Sequence, residues 1–420
     1  QLPEVATLFF GDTVSTAQIL DLVRDARSEG LTNARDCLDL QSGSKALEKV
    51  AKDLRLAVGI DAGRFSCGQL LEKAEFAPAL KVLEEEVTRF AAILETQAER
   101  AEGLEKCWQR ALELVQRLGH WQKVADDGYV RWAEAFTQSL QLNLTPLDVA
   151  EIFKKQMGGH PRAWIFTSAT LAVQGKFNHY CAELGLGEPE SACWESPFDY
   201  GKQAVLYAPL GMPEPNSYGY TDAVVDAAWP AVVAANGGAF FLCTSLRAMR
   251  RTHELLKARL EDEGLDMPLL VQGEGSKNDL LQRFRHHGAS ILVGSQSFWE
   301  GVDVRGEALS LVVIDKIPFA PPDDPVLSAR IEQMRQQGRN PFMEYQLPRA
   351  VINVKQGAGR LIRDEADRGV LMICDPRLIT KPYGKRVWRS LPPMRRTREE
   401  DEALAFFDET IRETEEIDAH

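Results

Sequence analysis

The sequence predicts an α/β protein in which a mainly helical region precedes a parallel β-sheet covered by helices on both faces. In residues 1–157, apolar side chains recur every three or four positions, which is the spacing of a packed helix. From Arg162 onward, short apolar runs alternate with amphipathic segments, an order typical of parallel sheets. The hydrophobic fraction of 44% and the charged fraction of 26% are those of an ordinary globular chain.

Composition narrows the class of protein further. At about 100–200 residues per domain, 420 residues correspond to two or three domains. The seven cysteines are odd in number and none has CxxC spacing, which excludes zinc ribbons and disulfide frameworks. A net charge of −13 excludes a uniformly basic coat protein for nucleic acid. No membrane-length apolar run or signal-like segment occurs, so we expect a cytoplasmic protein.

An apolar seam runs through the helical region. It is clearest from Leu80 to Leu118, with a polar interruption at Gln97, and predicts a long helix or a helical hairpin. A shorter seam from Leu47 to Ala57 supplies a packing partner, and the glycines between the two seams predict a turn. No catalytic constellation is visible here, which favours a structural or partner-binding helical module.

The α/β region contains alternating predicted strands and helices. The strands are expected at residues 163–166, 239–243, 268–271, 291–293, 309–314 and 370–374. The helices are expected near residues 219–235, 246–263, 277–286, 323–337 and 342–366. Ligands of such sheets bind at the carboxyl ends of the strands, so the polar residues that follow each strand are the candidate site.

Standard nucleotide-binding and catalytic loops do not occur in the sequence. It contains no GxxxxGK[ST], GxGxxG, GxSxG or HExxH pattern. Asp364-Glu365-Ala366-Asp367 has the letters of a helicase acidic box, but it follows a predicted helix rather than a buried strand. We therefore predict an ordinary helix end and turn at that position.

Polar side chains follow three of the predicted strands. Ser168 and Thr170 follow the first, where helix capping is the alternative to a functional role. Thr244 and Ser245 follow the second, where the helix start could bind a backbone phosphate or form an ordinary N-cap. After the predicted strand at 291–293, residues 294–303 (GSQSFWEGVD) contain more hydroxyl, amide and acidic groups than a structural loop needs.

A glycine-containing segment, residues 356–363 (QGAGRLIR), lies inside the last predicted helix. Arg360 and Arg363 are expected on one helix face, with Gln356 one turn earlier. Each glycine costs about 1 kcal/mol of helix propensity relative to alanine, which suggests close approach by another group. Two such arginines can stabilise the charge of a γ-phosphate, and surface salt bridges to acids such as Asp364 are the alternative.

Together, these segments resemble the DinG/XPD-like branch of superfamily-two helicases. Residues 168–170 (SAT), 241–245 (FLCTS), 298–303 (FWEGVD) and 356–363 occur in the order of helicase motifs III, IV, V and VI. Asp375-Pro-Arg377 is also similar to that branch, and the resemblance covers nearly the whole chain. It implies an ATP-dependent 5′→3′ DNA helicase of replication and repair, built from two RecA-like motor domains.

The resemblance also implies a role for each motif residue. Gln356, Arg360 and Arg363 would face ATP, the two arginines as arginine-finger candidates. Glu300, Gly301 and Asp303 would bind ATP and couple its site to DNA. The residues that would contact the DNA backbone are Thr244, Ser245, Ser295 and Gln296. Ser168 and Thr170 would link hydrolysis to domain closure.

The sequence also departs from that family. The Walker A loop and DEAH box that bind ATP and Mg²⁺, and the cysteines of the 4Fe–4S cluster, do not occur in it. We therefore expect the C-terminal part of a helicase, beginning just after the DEAH box, inactive alone and without a metal or cluster. The expected domains are a helical Arch at 1–157, the last strand and motif III of the first motor domain at 158–190, a RecA-like second motor domain at 191–397 and an acidic helix or tail at 398–420.

Charge and partners fit that interpretation. Residues 161–396 have 28 basic and 27 acidic side chains, and residues 376–396 have seven basic and no acidic ones, so the acidity lies elsewhere. The expected partners are single-stranded or forked DNA, the N-terminal motor domain and replication or repair proteins. The alternative is a non-enzymatic adaptor, derived from such a helicase, that binds DNA or a partner. A Walker A loop and DEAH box encoded upstream would favour the first hypothesis, and a start codon there the second.

Overall fold

A computed structural model describes residue 5, residues 9–123, 128–159 and 162–295, residue 298 and residues 308–408. These residues form two compact units. The first comprises the described chain up to Ile165 with Tyr180–Pro189 and Pro321–Arg339, and the second comprises Phe166–His179, Glu190–Ala320 and the chain from Asn340. Within the described residues, no helix has both the length and the apolar character needed to cross a membrane.

The chain up to residue 159 is mainly helical and also contains four strands. The strands are β1 (Asp12–Ser15), β2 (Gly63–Ser66), β3 (Tyr129–Ala135) and β4 (Leu140–Pro146). The helices are α1 (Thr16–Asn33), α2 (Leu38–Ala57), α3 (Cys67–Leu71), α4 (Phe76–Glu95), α5 (Glu102–Lys123) and α6 (Ala150–Gly158). Ser15 and Ser66 begin α1 and α3 with capping boxes, which satisfy amide groups that a helix start leaves unpaired.

The rest of the chain alternates strands with helices. The strands are β5 (Ala204–Tyr207), β6 (Ala239–Leu242), β7 (Leu269–Val271), β8 (Ile291–Gly294), β9 (Leu311–Ile314), β10 (Gly369–Ile373) and β11 (Arg395–Thr397). The helices are α7 (Asn178–Leu184), α8 (Tyr200–Gln203), α9 (Tyr220–Ala234), α10 (Leu246–Glu263), α11 (Lys277–His287), α12 (Pro325–Gln336), α13 (Leu347–Ala358), α14 (Arg377–Thr380) and α15 (Gly384–Ser390). A π-helical turn, Phe342–Gln346, precedes α13.

The first unit is built around the predicted apolar seam. Leu80, Val87 and Phe90 of α4 are buried in a core to which α2 contributes Leu47 and Leu54. Helix α4 packs against both α2 and α5. The seam forms a hairpin rather than one long helix, because α4 ends at Glu95 and a short 3₁₀ turn leads into α5.

A four-stranded antiparallel sheet makes the first unit less helical than the sequence predicts. Its strand order is β1-β4-β3-β2. Apolar and polar residues alternate along β4 (LQLNLTP) and in part along β3 (YVRWAEA), a period-two pattern that the helical interpretation overlooked. Helix α12 packs on this sheet, with Val326 and Ala329 against Val130 and Trp132. Asp324, the N-cap of α12, also accepts a hydrogen bond of 2.8 Å from Arg64 at the end of this interface.

The second unit contains the predicted parallel sheet, with seven strands in the order β11-β5-β10-β9-β6-β8-β7. All of its strand pairs are parallel, and β9 lies between β6 and β10. Each of the four central strands β6, β8, β9 and β10 is buried along its whole length, since hydrophobic clusters cover both faces of the sheet. An α/β fold with a helical portion is therefore confirmed.

Two predicted elements of the α/β region are wrong in detail. Residues 162–168 form no strand, because no described strand pairs with them, and Ile165 is 83% exposed. The predicted helix at 342–366 ends at Ala358, since Gly359 takes a non-helical turn and residues 364–368 turn toward β10. In the acidic segment, for which a helix or a tail was expected, residues 400–408 are helical and bury Phe406 and Phe407.

Gly369 provides a direct test of how tightly the sheet is packed. A Cβ there would lie 2.3 Å from the carbonyl oxygen of Ser310 and 2.6 Å from Leu361 Cδ1. Gly369→Ala should therefore lower the free energy of unfolding by about 2 kcal/mol through overpacking. Gly119→Ala is the matched control, because nothing lies within 4 Å of its Cβ position in α5. It should raise stability by up to about 1 kcal/mol. Urea unfolding followed by circular dichroism measures both, and equal stability of the two variants would contradict this packing.

Candidate functional site

The carboxyl ends of the central parallel strands meet at one edge of the sheet and carry polar side chains. Thr244 and Ser245 follow β6, Ser295 follows β8, Asp315 follows β9 and Asp375 follows β10. The amide of Cys243 donates to the carbonyl of Gly294 at 2.8 Å, which places the ends of β6 and β8 side by side. The structure therefore brings together the predicted residues Thr244, Ser245 and Ser295.

Asp315 fixes the conformation of the chain after β6. Both of its carboxylate oxygens accept the Thr244 amide at 3.1 Å, and one accepts the Thr244 hydroxyl at 3.1 Å. The amide of Lys316 donates to the same carboxylate at 2.7 Å. Burial raises the pKa of Asp315 to about 6, against the hydrogen bonds from Thr244 and the charge of Lys316, which lower it. Hydrogen bonds from the loops after β6 and β9 therefore use most of the acceptor capacity of this buried carboxylate.

Asp375, after the end of β10, likewise fixes the conformation of the chain at this edge of the sheet. It accepts the Ile317 amide at 2.8 Å and the Arg377 guanidinium at 2.6 and 2.9 Å. The buried hydroxyl of Tyr220 donates to the carbonyl of Asp315 at 2.7 Å and lies 3.2 Å from that of Cys374, so it ties β9 to β10. Sequence reasoning missed Asp315 and Tyr220. The available signal for Asp315 was an acid directly after a fully apolar strand.

The predicted hydroxyls at this edge have defined partners. Ser245 is the N-cap of α10, and its Oγ accepts the amide of Ala248 at 3.1 Å. The amide and hydroxyl of Ser295 donate to the side-chain oxygen of Gln272 at 2.7 and 2.8 Å. The other predicted residues of the 294–303 segment, Gln296, Glu300, Gly301 and Asp303, lie outside the described residues.

The segment from Gln356 to Arg363 differs from its predicted helical form. Gln356 lies in the last turn of α13, but Arg360 and Arg363 follow the helix, so they do not share a helix face. The loss of helix follows from the two glycines, which favour a turn, and from Asp367. Its carboxylate accepts the Arg363 amide at 2.6 Å and holds the chain in that turn. The side-chain oxygen Oε1 of Gln356 is buried and has no hydrogen-bond partner among the described residues.

The acidic letters at 364–367 form a turn, as the sequence predicted. Asp367 also accepts the Asp364 amide at 2.8 Å. The side-chain nitrogen of Gln203 donates to the carbonyls of Asp364, Glu365 and Asp367 at 3.0 Å each. The turn is thus held from both sides and does not follow a buried strand, unlike a helicase acidic box.

Ser168 and Thr170 lie in a turn within the second unit. The Ser168 hydroxyl accepts the Thr170 amide at 3.2 Å, and the two hydroxyl oxygens are 3.3 Å apart. Lys355, the neighbour of Gln356 on α13, donates to the carbonyl of Ala172 at 2.9 Å. Burial lowers the pKa of Lys355. This contact brings the chain just after Thr170 to the helix that carries Gln356.

Comparisons with known proteins agree with this architecture. A family model described as the helicase C-terminal domain matches residues 229–394. The ATP-dependent DNA helicase YoaA of Escherichia coli (strain K12) is 42% identical over 406 residues, which are 97% of this chain and 63% of YoaA. YoaA of Haemophilus influenzae is 39% identical over 407 residues, with the same coverage of 97% and 63%. The ATP-dependent helicase DinG of Mycobacterium tuberculosis (strain H37Rv) is 37% identical over 263 residues, 61% of this chain and 38% of DinG.

Solved structures support the same fold. An XPD helicase aligns with a TM-score of 0.58 at 14% identity, over 94% of this chain and 66% of that chain. The chain is homologous to DinG and YoaA helicases, as its motifs predicted. Among these relatives, the YoaA proteins align with the chain along nearly its whole length, and the chain spans about 63% of theirs.

The raised pKa of Asp315 predicts a pH-dependent contribution to stability. The pKa is about 6 in the folded protein and 3.8 for an ordinary aspartate, so the folded state binds this proton more tightly. The stabilisation from this group is therefore complete below the ordinary pKa and is lost as the pH rises through about 6. Relative to that of Asp315→Asn, the free energy of unfolding of the wild type should fall by about 1 kcal/mol between about pH 5 and about pH 7.5. Urea titrations at both pH values measure this, and a difference that does not change with pH contradicts it.

Proposed function

We propose that this chain supplies the Arch and the second motor domain of an ATP-dependent helicase that moves 5′→3′ along DNA in replication or repair. The supporting observation is the carboxyl edge of the parallel sheet, where residues of motifs IV and V follow neighbouring strands in a chain homologous to DinG and YoaA. The proposed domains are an Arch at 1–157, the end of the first motor domain at 158–190, the second motor domain at 191–397 and a C-terminal acidic segment at 398–420.

The DNA strand would lie along this edge of the sheet. Ser245 and the first amides of α10 supply donors that suit a phosphate, and helix N-termini attract anions. Ser295 and Gln296 would contact the backbone from the next strand end. Backbone contacts of this kind position a nucleic acid without reading its sequence, as a translocating motor requires. Single-stranded or forked DNA is therefore the proposed substrate.

ATP would be bound between this chain's motor domain and the first motor domain. Gln356, Glu300, Gly301 and Asp303 are the proposed ATP-binding residues, with Arg360 and Arg363 stabilising the charge that develops on the γ-phosphate. The buried side-chain oxygen of Gln356 supports a polar ligand near α13. Ser168 and Thr170 would couple hydrolysis to domain closure, and the Lys355 contact to Ala172 gives that coupling a physical route.

The proposed metal and cluster would belong to other parts of the helicase. Cys243 and Cys374 do not suit a 4Fe–4S cluster, because burial raises the pKa of both thiols and disfavours the thiolate that binds iron. Among the described residues, no three His, Cys, Asp or Glu side chains are grouped so that they could hold a metal ion. Mg²⁺ and the cluster are therefore proposed for the first motor domain, and the bacterial cytoplasm is the proposed location.

The chain alone should show no DNA-stimulated ATP hydrolysis, because its sequence has no phosphate-binding loop. The measurement is phosphate release by the purified chain with and without single-stranded DNA, beside the same chain extended upstream through a Walker A loop and DEAH box. Clear DNA-stimulated ATP hydrolysis by the shorter chain would overturn the proposal that hydrolysis requires the upstream Walker A loop and DEAH box. Hydrolysis by neither protein, with DNA binding retained, would favour the adaptor function instead.

In the extended protein, Arg360→Ala should reduce the maximal rate of ATP hydrolysis by on the order of 10³-fold, the effect of losing an arginine finger. DNA affinity should be unchanged, because the arginine is proposed to face ATP. Arg283→Ala is the matched control, since this arginine lies on α11 and contacts Asp279 of the same helix. An equal loss of DNA affinity and of hydrolysis in Arg360→Ala would contradict the role given to Arg360.

A further inference from the structure

The contact between Thr244 and Asp315 changes how the end of β6 can bind DNA. The Thr244 hydroxyl donates its proton to the Asp315 carboxylate at 3.1 Å. A phosphodiester has acceptor oxygens but no proton to donate. A threonine whose proton is already engaged by a carboxylate cannot also donate to a phosphate.

We propose that Asp315 is a positioning residue for the DNA backbone contact, and that Ser245, not Thr244, presents its hydroxyl to the phosphate. This inference rests on the proposed function and assigns a role to a residue outside the helicase motifs. Asp315 touches neither DNA nor ATP. It acts by holding Thr244, and through Thr244 the first turn of α10.

The hydrogen bonds support this assignment. Asp315 accepts both the amide and the hydroxyl of Thr244, so it fixes the backbone and the side chain of the residue directly before Ser245. Ser245 Oγ accepts the amide of Ala248 and, among the described residues, donates to no acceptor. Ser245 is exposed, whereas Thr244 is half-buried. The hydroxyl proton of Ser245 can therefore be donated to an incoming phosphate oxygen.

Electrostatics makes the role of Asp315 testable, because charge and positioning predict opposite results. The Asp315 carboxylate contacts Thr244, the residue directly before Ser245, and a carboxylate so close to a phosphate bound at Ser245 repels that phosphate. Lys316 follows Asp315 directly, with its ammonium 6.0 Å from the centre of the Tyr220 ring, and partly offsets that charge. If Asp315 acted only as a charge, Asp315→Asn would strengthen DNA binding. If it positions the turn, the same change weakens DNA binding, because an amide cannot accept the whole set of donors.

The first measurement tests the contact without DNA. Thr244→Val keeps the shape of the side chain and removes the hydroxyl, and Asp315→Asn removes the carboxylate. Urea unfolding midpoints of the 420-residue chain are compared for the two single variants and the double variant. Coupled residues should give a double variant whose midpoint shift is clearly smaller than the sum of the single shifts. Additive shifts would overturn the contact on which the inference depends.

The second measurement is the affinity of the same chain for a fluorescein-labelled oligothymidine, followed by fluorescence anisotropy at fixed salt. Asp315→Asn, Thr244→Val and Ser245→Ala should each weaken binding about fivefold, the effect of a single hydrogen bond. Thr244→Ser should restore wild-type affinity, because serine keeps the proton donated to Asp315. Ser276→Ala is the matched control, since Ser276 caps α11 through the amide of Asp279 at 3.2 Å. It removes an equivalent cap and should leave affinity unchanged.

The outcomes separate this inference from the proposed function. Tighter or unchanged DNA binding by Asp315→Asn overturns the positioning role while the wild type still binds DNA. If Asp315→Asn does not fold, Thr244→Val decides the question, and wild-type affinity in that variant overturns the inference. If the wild-type chain binds no oligothymidine, the proposed DNA contact itself fails, whatever the unfolding experiment shows.

Discussion

Two buried carboxylates, Asp315 and Asp375, constrain the edge of the parallel sheet on which the candidate site depends. A charge inside a protein is tolerated only when donors surround it. Here the donors are the backbone and side chains of the loops themselves: Thr244, Lys316, Ile317 and Arg377. Because β9 and β10 are neighbours, their carboxylates fix adjacent loops, and the Tyr220 hydroxyl joins the two strand ends.

This constraint gives the candidate site a rigid base. The chain after β6 is held by Asp315, and the chain after β8 is held by Gln272 through Ser295. Residues that contact a mobile polymer need this kind of support, since binding that must first order a loop is weaker. The segment that follows α13 is fixed in the same way by Asp367 and Gln203. Polar side chains behind the motif residues thus determine the conformation of the motif residues.

Much of this site was predictable from the sequence, for physical reasons. Fully apolar strands of four or five residues identify a sheet covered on both faces, and the rule that ligands bind at strand ends then selects Thr244, Ser245 and Ser295. Asp315 and Tyr220 could not be selected in this way. Their importance comes from contacts with residues 71 and 154 positions away, Thr244 and the carbonyl of Cys374, and these appear only in the fold.

The errors in prediction have equally local causes. Strands β3 and β4 carry a period-two pattern, but the helices on either side of them dominated the interpretation. Residues 163–166 have a strand-like composition, yet a strand forms only where another strand accepts its hydrogen bonds. The helix that carries Gln356 stops at Ala358 because Gly359 leaves the helical conformation, and Asp367 then accepts the amides of Arg363 and Asp364. Those hydrogen bonds depend on a turn whose geometry the sequence does not specify.

The central claim is that this chain binds single-stranded DNA along the carboxyl edge of its parallel sheet. Hydrogen–deuterium exchange of the chain with and without an oligothymidine tests it most directly, because backbone amides report the location of contact residue by residue. The account predicts that DNA slows exchange at residues 244–249 and 316–320, at the ends of β6 and β9, and leaves α1 and α2 unchanged. Protection confined to the helical unit, with no change at those strand ends, would contradict it.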